Sequence, residues 1–292
     1  ALWSLYKSAY NAESGRIFLE MIDVRNAMAQ TLGFTSYAEY GYALYARDYT
    51  PEDAKRLATA VKREIVQPFY HATMRLSSGR FLVPATLSNV RNAVTALLPE
   101  FEEPWTYMTE HGMYDLEPGE NKQSGSFTTY FETYGAPFLF TSWDGSYEMP
   151  TTMIHEFGHY AGYYLNGVQR MESQDPLDLA EIDSQGLELL ALSQYDTLYG
   201  ALADAAKTAA LTIACYAVIT GCMEDEFQQF AYRTKDVTLE QLNAEYGRLV
   251  REYGLDTMSV DGESWTEIAH TFRAPMYYIS YAVSMLAAMQ LI

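Results

Sequence analysis

Residues 155–159 read His155-Glu156-Phe157-Gly158-His159, inside a segment that turns helical after Pro150. Histidines at i and i+4 on a helix face the same way, roughly 6 Å apart, so one metal ion can take both imidazoles. Glu156 follows the first histidine directly and can reach a metal-bound water. It would take that water's proton as general base and pass it to a leaving amine. Gly158 suits a helix that admits a close neighbour. A structural zinc site more often recruits cysteine, and none is near. The motif therefore predicts one catalytic Zn2+ per chain.

Such a site needs a third ligand. No histidine follows within a hundred residues, which excludes the three-histidine pattern of the metzincins. The downstream acids are Glu172, Asp175, Asp178, Glu181, Asp183 and Glu188. Glu181 falls inside a helix expected to start at Asp175-Pro176 and run through Leu192, and Glu188 shares its face. From spacing alone, Glu181 reads equally well as a ligand or as a solvated helix acid.

Around the motif the chain is predicted to be mainly α. Ile17, Met21, Val24, Met28 and Leu32 recur at helical spacing, and Gly33 follows as a stop. Thr50-Pro51-Glu52-Asp53 is a helix start, with that helix expected to run to about Ser78 and bend near Pro68. Further helices are expected over Ser88–Leu98, Phe101–His111, Ala201–Tyr232 and Met276–Ile292. Thr238-Leu239-Glu240-Gln241 reads as a capping box for a helix ending at Gly254. Ser126–Thr133 and Ala136–Thr141 read as the strands of one small antiparallel β-sheet beside the motif helix. The region 135–142 reads as a strand edge able to pair with an extended peptide. Pro137, which lacks an N–H, marks an edge or strand start.

Composition limits the partners. The chain has 292 residues, 49% of them hydrophobic, ample for a sizeable core. Its net charge of -19 argues against nucleic acid and disfavours anionic membranes. Cys215 and Cys222 are the only cysteines. Along a helix they would lie roughly 10 Å apart, too far for a disulfide. They read as core thiols of a reducing compartment, and no signal peptide is visible, so a cytoplasmic protein is expected. The apolar runs Thr208–Cys222 and Tyr277–Ile292 read as too short and too polar to span a membrane.

Four motifs in order resemble one family. Gly125-Ser126-Phe127-Thr128-Thr129-Tyr130, Ala136-Pro137-Phe138-Leu139-Phe140, the His155–His159 motif and Ala180-Glu181-Ile182-Asp183-Ser184-Gln185 are similar to the thimet oligopeptidase and oligoendopeptidase F family. The segment from His270 to Ala282 is similar to that family's histidine–tyrosine segment. The likeness is dense over 112–292 and looser before it. It implies a helical, zincin-type peptidase for short, unstructured peptides, with the helical segment 1–111 forming part of a channel wall and 112–292 the catalytic core. It assigns Glu181 as third zinc ligand. It gives His270, Tyr277 and Tyr281 the role of binding the carbonyl oxygen as it gains charge, in keeping with the donors such an oxygen needs. Tyr277 and Tyr281 would share a helix face, with Tyr278 pointing elsewhere. Gly135, Ala136, Pro137 and Phe138 become candidate substrate-binding residues. Family members carry a further helical region ahead of the part that begins here, and that region is expected to be absent from this chain. The predicted function is hydrolysis of internal bonds in short peptides. The alternatives are a carboxypeptidase or dipeptidyl carboxypeptidase that uses Arg273 for the terminal carboxylate, and a non-catalytic helical binding protein.

Overall fold

The computed structural model describes residues 2–74, 85–123, 125–166, 177–179 and 181–292. The chain divides into two compact units. The first holds residues 1–74, 176–178 and 215–283, and the second holds 75–175, 179–214 and 284–292.

The first unit is built on α1 (Leu2–Thr31), α2 (Tyr37–Leu44), α3 (Pro51–Glu64) and α4 (Val66–Thr73). Thr50 and Asp53 cap α3 reciprocally, the backbone N–H of Thr50 donating to Asp53 Oδ2 at 2.8 Å. The expected bend near Pro68 falls earlier. Proline has no N–H and its ring clashes with the carbonyl four residues back, which is that of Glu64, so α3 ends there and Pro68 sits in the first turn of α4. Ser78, where that helix was expected to end, lies outside the described residues.

The apolar row read along α1 is not the face that the helix buries. Ile17, Val24, Met28 and Leu32 are exposed, whereas Phe18, Ile22 and Ala29 are buried. Helix α1 carries apolar residues on two sides, so periodicity marks a face without saying which one is covered. Phe18 settles it by packing on Trp265, Phe272 and Tyr232, with ring centroids 5.1, 5.6 and 6.1 Å away.

The second unit contains α5 (Leu87–Leu97), α6 (Glu102–Glu110), β1 (Tyr114–Asp115), β2 (Phe127–Phe131), β3 (Ala136–Phe140), α7 (Met149–Asn166), α8 (Ile182–Leu190) and α9 (Tyr195–Tyr199). Its core gathers Val90, Trp105, Leu139, Met153, Phe157, Tyr160 and Tyr195. The rest of the chain forms α10 (Ala203–Arg233), α11 (Leu239–Glu252), α12 (Ala269–Arg273) and α13 (Ile279–Ala288). The capping box at Thr238 and Gln241 starts α11 as its sequence implies.

The sheet is mixed rather than antiparallel. Its order is β1-β3-β2, with β2 antiparallel and β1 parallel to β3. Strand β1 is too short for alternation to reveal. Lys122 secures it by donating to Asp115 Oδ1 at 2.8 Å and to the Thr141 carbonyl at 2.7 Å. Strand β3 is therefore central and not an edge, and β1 covers only Leu139 and Phe140. The N–H groups of Leu139 and Thr141 bond toward β1. By strand alternation Pro137 has its nitrogen on that same side, where β1 no longer reaches, so its missing N–H costs no ladder bond.

The helix expected from Asp175 to Leu192 is interrupted. Asp175 and Pro176 lie outside the described residues, Leu177–Leu179 is a 3-10 turn, and α8 runs only from Ile182 to Leu190. The last helix starts at Ile279 and not at Met276. By length and apolarity alone, Ile182–Arg233 contains a stretch able to cross a membrane, longer than the run read from the sequence. Both cysteines are free thiols.

Candidate metal centre

Helix α7 carries His155 and His159 one turn apart, their ring centroids separated by 4.9 Å. Their Nε2 atoms lie 3.6 and 3.5 Å from Glu181 Oε2, and the donor atoms of all three residues fall within 4.8 Å of one another. Glu181 occupies the N-cap position of α8. What brings α8 so close is Gly158. A Cβ there would stand 2.7 Å from Ser184 Cα and 2.8 Å from the Asp183 carbonyl oxygen. Any side chain at 158 would push away the turn that presents Glu181.

Burial opposes a charged Glu181, yet His159, His155 and the Ser184 hydroxyl (3.1 Å away) together hold its carboxyl below the usual range. On the opposite side of the His155 ring, Nδ1 lies 2.5 Å from Glu188 Oε1. Burial works against a protonated His155, but Glu188 first, then Glu181 and Glu156, push its pKa up to about 9. Glu181 and Glu188 thus take the two nitrogens of one imidazole, and Glu188 fixes which nitrogen faces the centre. Two turns separate these acids on α8. Their shared face was legible in the sequence, but not that they divide between the two nitrogens.

Glu156 is buried, and burial raises its pKa against the pull of His155, Thr128 and His159. Thr128 Oγ1, on β2, stands 2.9 Å from Glu156 Oε2 and 2.8 Å from the Glu156 carbonyl oxygen. The sheet beside the motif helix therefore orients the carboxylate. Thr128 sits in one of the quoted motifs, but nothing in its spacing tied it to Glu156.

The other downstream acids sort themselves. Glu172 and Asp175 lie outside the described residues. Asp178 belongs to the first unit, where it forms a buried ion pair with Arg47 at 3.3 Å and accepts from Ser280. Arg47 also donates to Ser280 Oγ at 2.9 Å and to the Tyr277 carbonyl at 3.4 Å.

His270 and the tyrosines lie in the first unit. Pro275 drives Ala274 out of the helical region (φ -140°, ψ 64°), which ends α12 at Arg273. Met276 then turns at φ +65°, with its N–H donating to Gln228 Oε1 at 2.6 Å. Tyr277 consequently precedes α13 and shares no helix face with Tyr281. All three tyrosines nevertheless surround His270, with ring centroids 5.3 Å (Tyr277), 5.2 Å (Tyr278) and 5.9 Å (Tyr281) away. The Tyr277 and Tyr281 rings also meet, with centroids 5.2 Å apart. Tyr281 Oη lies 3.5 Å from His270 Nε2. Arg273 is exposed. Gly135 has φ +62° in the turn between β2 and β3, ahead of Ala136, Pro137 and Phe138 on β3.

A family model, "Peptidase family M3", matches residues 104–291. A search of curated proteins finds no match. Among solved structures, the chain is similar to a PZ peptidase A with an inhibitor, at 25% identity and a TM-score of 0.82 over 97% of this chain and 56% of that one. It is also similar to a protein described as an oligoendopeptidase F, at 26% identity, TM-score 0.82, 97% of this chain and 56% of that one. A Bacillus anthracis protein described the same way has 22% identity and a TM-score of 0.73 over 94% and 52% of the two chains, and shares the fold. The chain thus spans about half the length of these relatives.

Proposed function

This chain belongs to peptidase family M3, and on that premise we propose that it is the catalytic part of a zinc-dependent oligopeptidase that hydrolyses internal bonds of short, unstructured peptides. The observation that carries the reading is the convergence of His155 and His159 Nε2 on Glu181 Oε2 at 3.6 and 3.5 Å. Two imidazoles and a carboxylate are a donor set that suits Zn2+ with an open fourth position. The donor atoms of all three lie within 4.8 Å of one another, close enough for one ion to take all of them. His155, His159 and Glu181 would hold the ion, and Glu188 would keep His155 in the tautomer that presents Nε2.

When bound, zinc supplies Lewis acidity, making a water more acidic and polarising a carbonyl. Glu156 takes the proton of the attacking water on its carboxylate and returns it to the leaving nitrogen. Its buried setting raises its proton affinity toward that task, and Thr128 steadies the oxygen that receives the proton. For His270, Tyr277 and Tyr281 the reading keeps the role that the family resemblance gives them, donating to the carbonyl oxygen as it gains charge. The Pro137 carbonyl would accept from an extended peptide along the part of β3 that β1 leaves uncovered, next to the turn at Gly135.

The test is elemental analysis paired with a quenched fluorescent peptide assay. One zinc per chain and activity lost to a chelator are expected, and Glu181→Ala should lose most of the metal. Full zinc occupancy in that variant would remove Glu181 from the ligand set. Tyr281→Phe should keep the metal and lower kcat more than it changes KM.

A further inference from the structure

Helix α2 closes on a strained residue. The N–H of Ala46 donates to the Ala43 carbonyl at 3.1 Å and that of Arg47 to the Tyr42 carbonyl at 3.2 Å, the two bonds of a Schellman motif. Glycine ordinarily takes the left-handed position of that motif, yet Ala46 holds it at φ +51°. Met276 stands at φ +65°, where a bulky side chain is disfavoured as well. The two turns are packed together through α2. A Cβ on Gly41 would stand 2.8 Å from Met276 Cγ, so the helix lies directly against the second turn.

The first turn delivers Arg47 to the interior, where its side chain is fully buried. Its Nε donates to Asp178 at 3.3 Å, and its Nη2 to Ser280 Oγ at 2.9 Å and the Tyr277 carbonyl at 3.4 Å. Tyr42, Tyr45 and Tyr49 face the guanidinium, with ring centroids 4.6, 5.1 and 5.8 Å from Cζ. Tyr45 adds a bond of its own, its Oη donating to the Pro275 carbonyl at 3.3 Å, and its ring lies 6.1 Å from that of Tyr277. Arg47 and Tyr45 thus grip the chain between Pro275 and Ser280, the stretch that carries Tyr277 and leads straight into Tyr281. All of these residues belong to the first unit. Desolvation offsets most of the attraction within a buried ion pair, so net stability does not account for the arrangement. Strained backbone beside such a pair is better explained by what it holds in place.

We propose that Arg47 is a positioning residue, which holds residues 275–280 so that His270, Tyr277 and Tyr281 keep one mutual arrangement. The proposal rests on the role given above to those three side chains in peptide hydrolysis. Being fully buried, Arg47 acts through them and not on substrate. The planar fork of a guanidinium reaches Asp178, Ser280 and a carbonyl at once, whereas a lysine ammonium brings the same charge as a point. Arg47→Lys therefore keeps a cation beside Asp178 and loosens the grip on 275–280. Ser280→Ala leaves the ion pair whole and removes only the tie to α13.

The experiment uses the zinc-loaded chain and the quenched peptide assay, with zinc content and melting midpoint measured for each variant. Arg47→Lys should lower kcat by about 10–100-fold while KM stays within about threefold, since small displacements of catalytic groups act on the transition state. Zinc should stay bound, because His155, His159 and Glu181 belong to the other unit. Ser280→Ala should lower kcat by about threefold or more, and it decides the matter if Arg47→Lys does not fold. With Tyr277→Phe and Tyr281→Phe already in place, Arg47→Lys should change kcat by less than about threefold, as a residue that acts through another must. Val61→Ala, a buried change on α3 outside this group, is the control and should lower the melting midpoint but not kcat. An Arg47→Lys or Ser280→Ala enzyme with the kcat of the parent would overturn the proposal, as would an undiminished effect of Arg47→Lys in the doubly substituted background. The ring nitrogen NMR resonances of His270, identified by their loss in His270→Gln, separate this failure from that of the peptidase reading. A zinc-loaded chain that cuts no peptide refutes the peptidase. If its His270 resonances still move on Arg47→Lys, the positioning stands, and if they do not, both readings fail. Cleavage that Arg47→Lys leaves unchanged refutes the positioning and keeps the peptidase.

Discussion

Two groups of buried carboxylates sit in the two units, and they behave oppositely. In the second unit Glu181 lies against two imidazoles and is held below its ordinary pKa in spite of burial. In the first unit Glu224 and Asp225, on α10, are also buried, but their hydrogen-bond partners are neutral. Tyr246 donates to Glu224 at 2.5 Å, while Tyr42 and Gln229 donate to Asp225 at 2.8 and 2.5 Å. Burial dominates there. It pushes Glu224 up to about 8 and Asp225 up to about 6, the latter against the added pull of Arg47. One hydroxyl does not replace the hydration that a carboxylate loses, whereas imidazoles able to carry charge do. Glu224 and Asp225 hold their protons to higher pH than exposed carboxyls do and behave as part of a core, whereas Glu181 keeps its negative charge and is ready for a cation.

The largest expected effect breaks the reactive group without touching its metal. Glu156→Gln retains shape but cannot accept a proton, so turnover should fall by about 10²–10⁴-fold while zinc stays bound. A variant that holds zinc and still cuts peptide within threefold of the parent would show that another group handles the proton.

Next comes the neutral group. The unfolded chain releases the Glu224 proton near pH 4.5, while the folded chain keeps it to about 8. Because the folded state binds more protons in that window, stability falls as pH rises from about 4.5 to about 8 and then levels off. Asp225 adds a smaller fall from about 3.8 to about 6. Glu224→Gln should flatten the first fall by a few kcal/mol, seen as a melting midpoint that varies less between pH 5 and 8. An unchanged profile would mean that Glu224 is not the group that titrates.

The smallest effect tests whether Glu188 belongs to the metal group or only neighbours it. Glu188→Gln leaves a hydrogen-bonding group on His155 Nδ1 but removes its charge. Zinc affinity should drop about 10–100-fold, with the fold and the Glu224 pH profile untouched. Competition with a chelator of known affinity measures it, and unchanged affinity would reduce Glu188 to a packing role.

Features that a few consecutive residues settle were legible from the chain alone. His155 and His159 share a face because an α-helix repeats every 3.6 residues, and that needs no partner element. The caps of α3 and α11 likewise close within four residues, through Thr50 with Asp53 and Thr238 with Gln241. The ordered motifs placed the chain in its family, since the residue types carry that signal before any packing does.

Tertiary structure decided what meets what. Apolar residues on two sides of α1 allow either face to be buried, and only the rings around Phe18 choose. The i, i+4 pairing of Tyr277 with Tyr281 assumed a continuous helix. The turn at Ala274–Met276 ends it and lets Tyr278 join the ring around His270. A two-residue β1, invisible as a pattern, turned β3 from an edge into a central strand. Spacing put Glu181 and Glu188 on one face, and the close approach at Gly158 set α8 against α7 so that each lies by its own nitrogen of His155. Local hydrogen bonds and helical periodicity reach about four residues along a chain, whereas the choice of nitrogen depends on a contact between helices that sequence spacing does not fix.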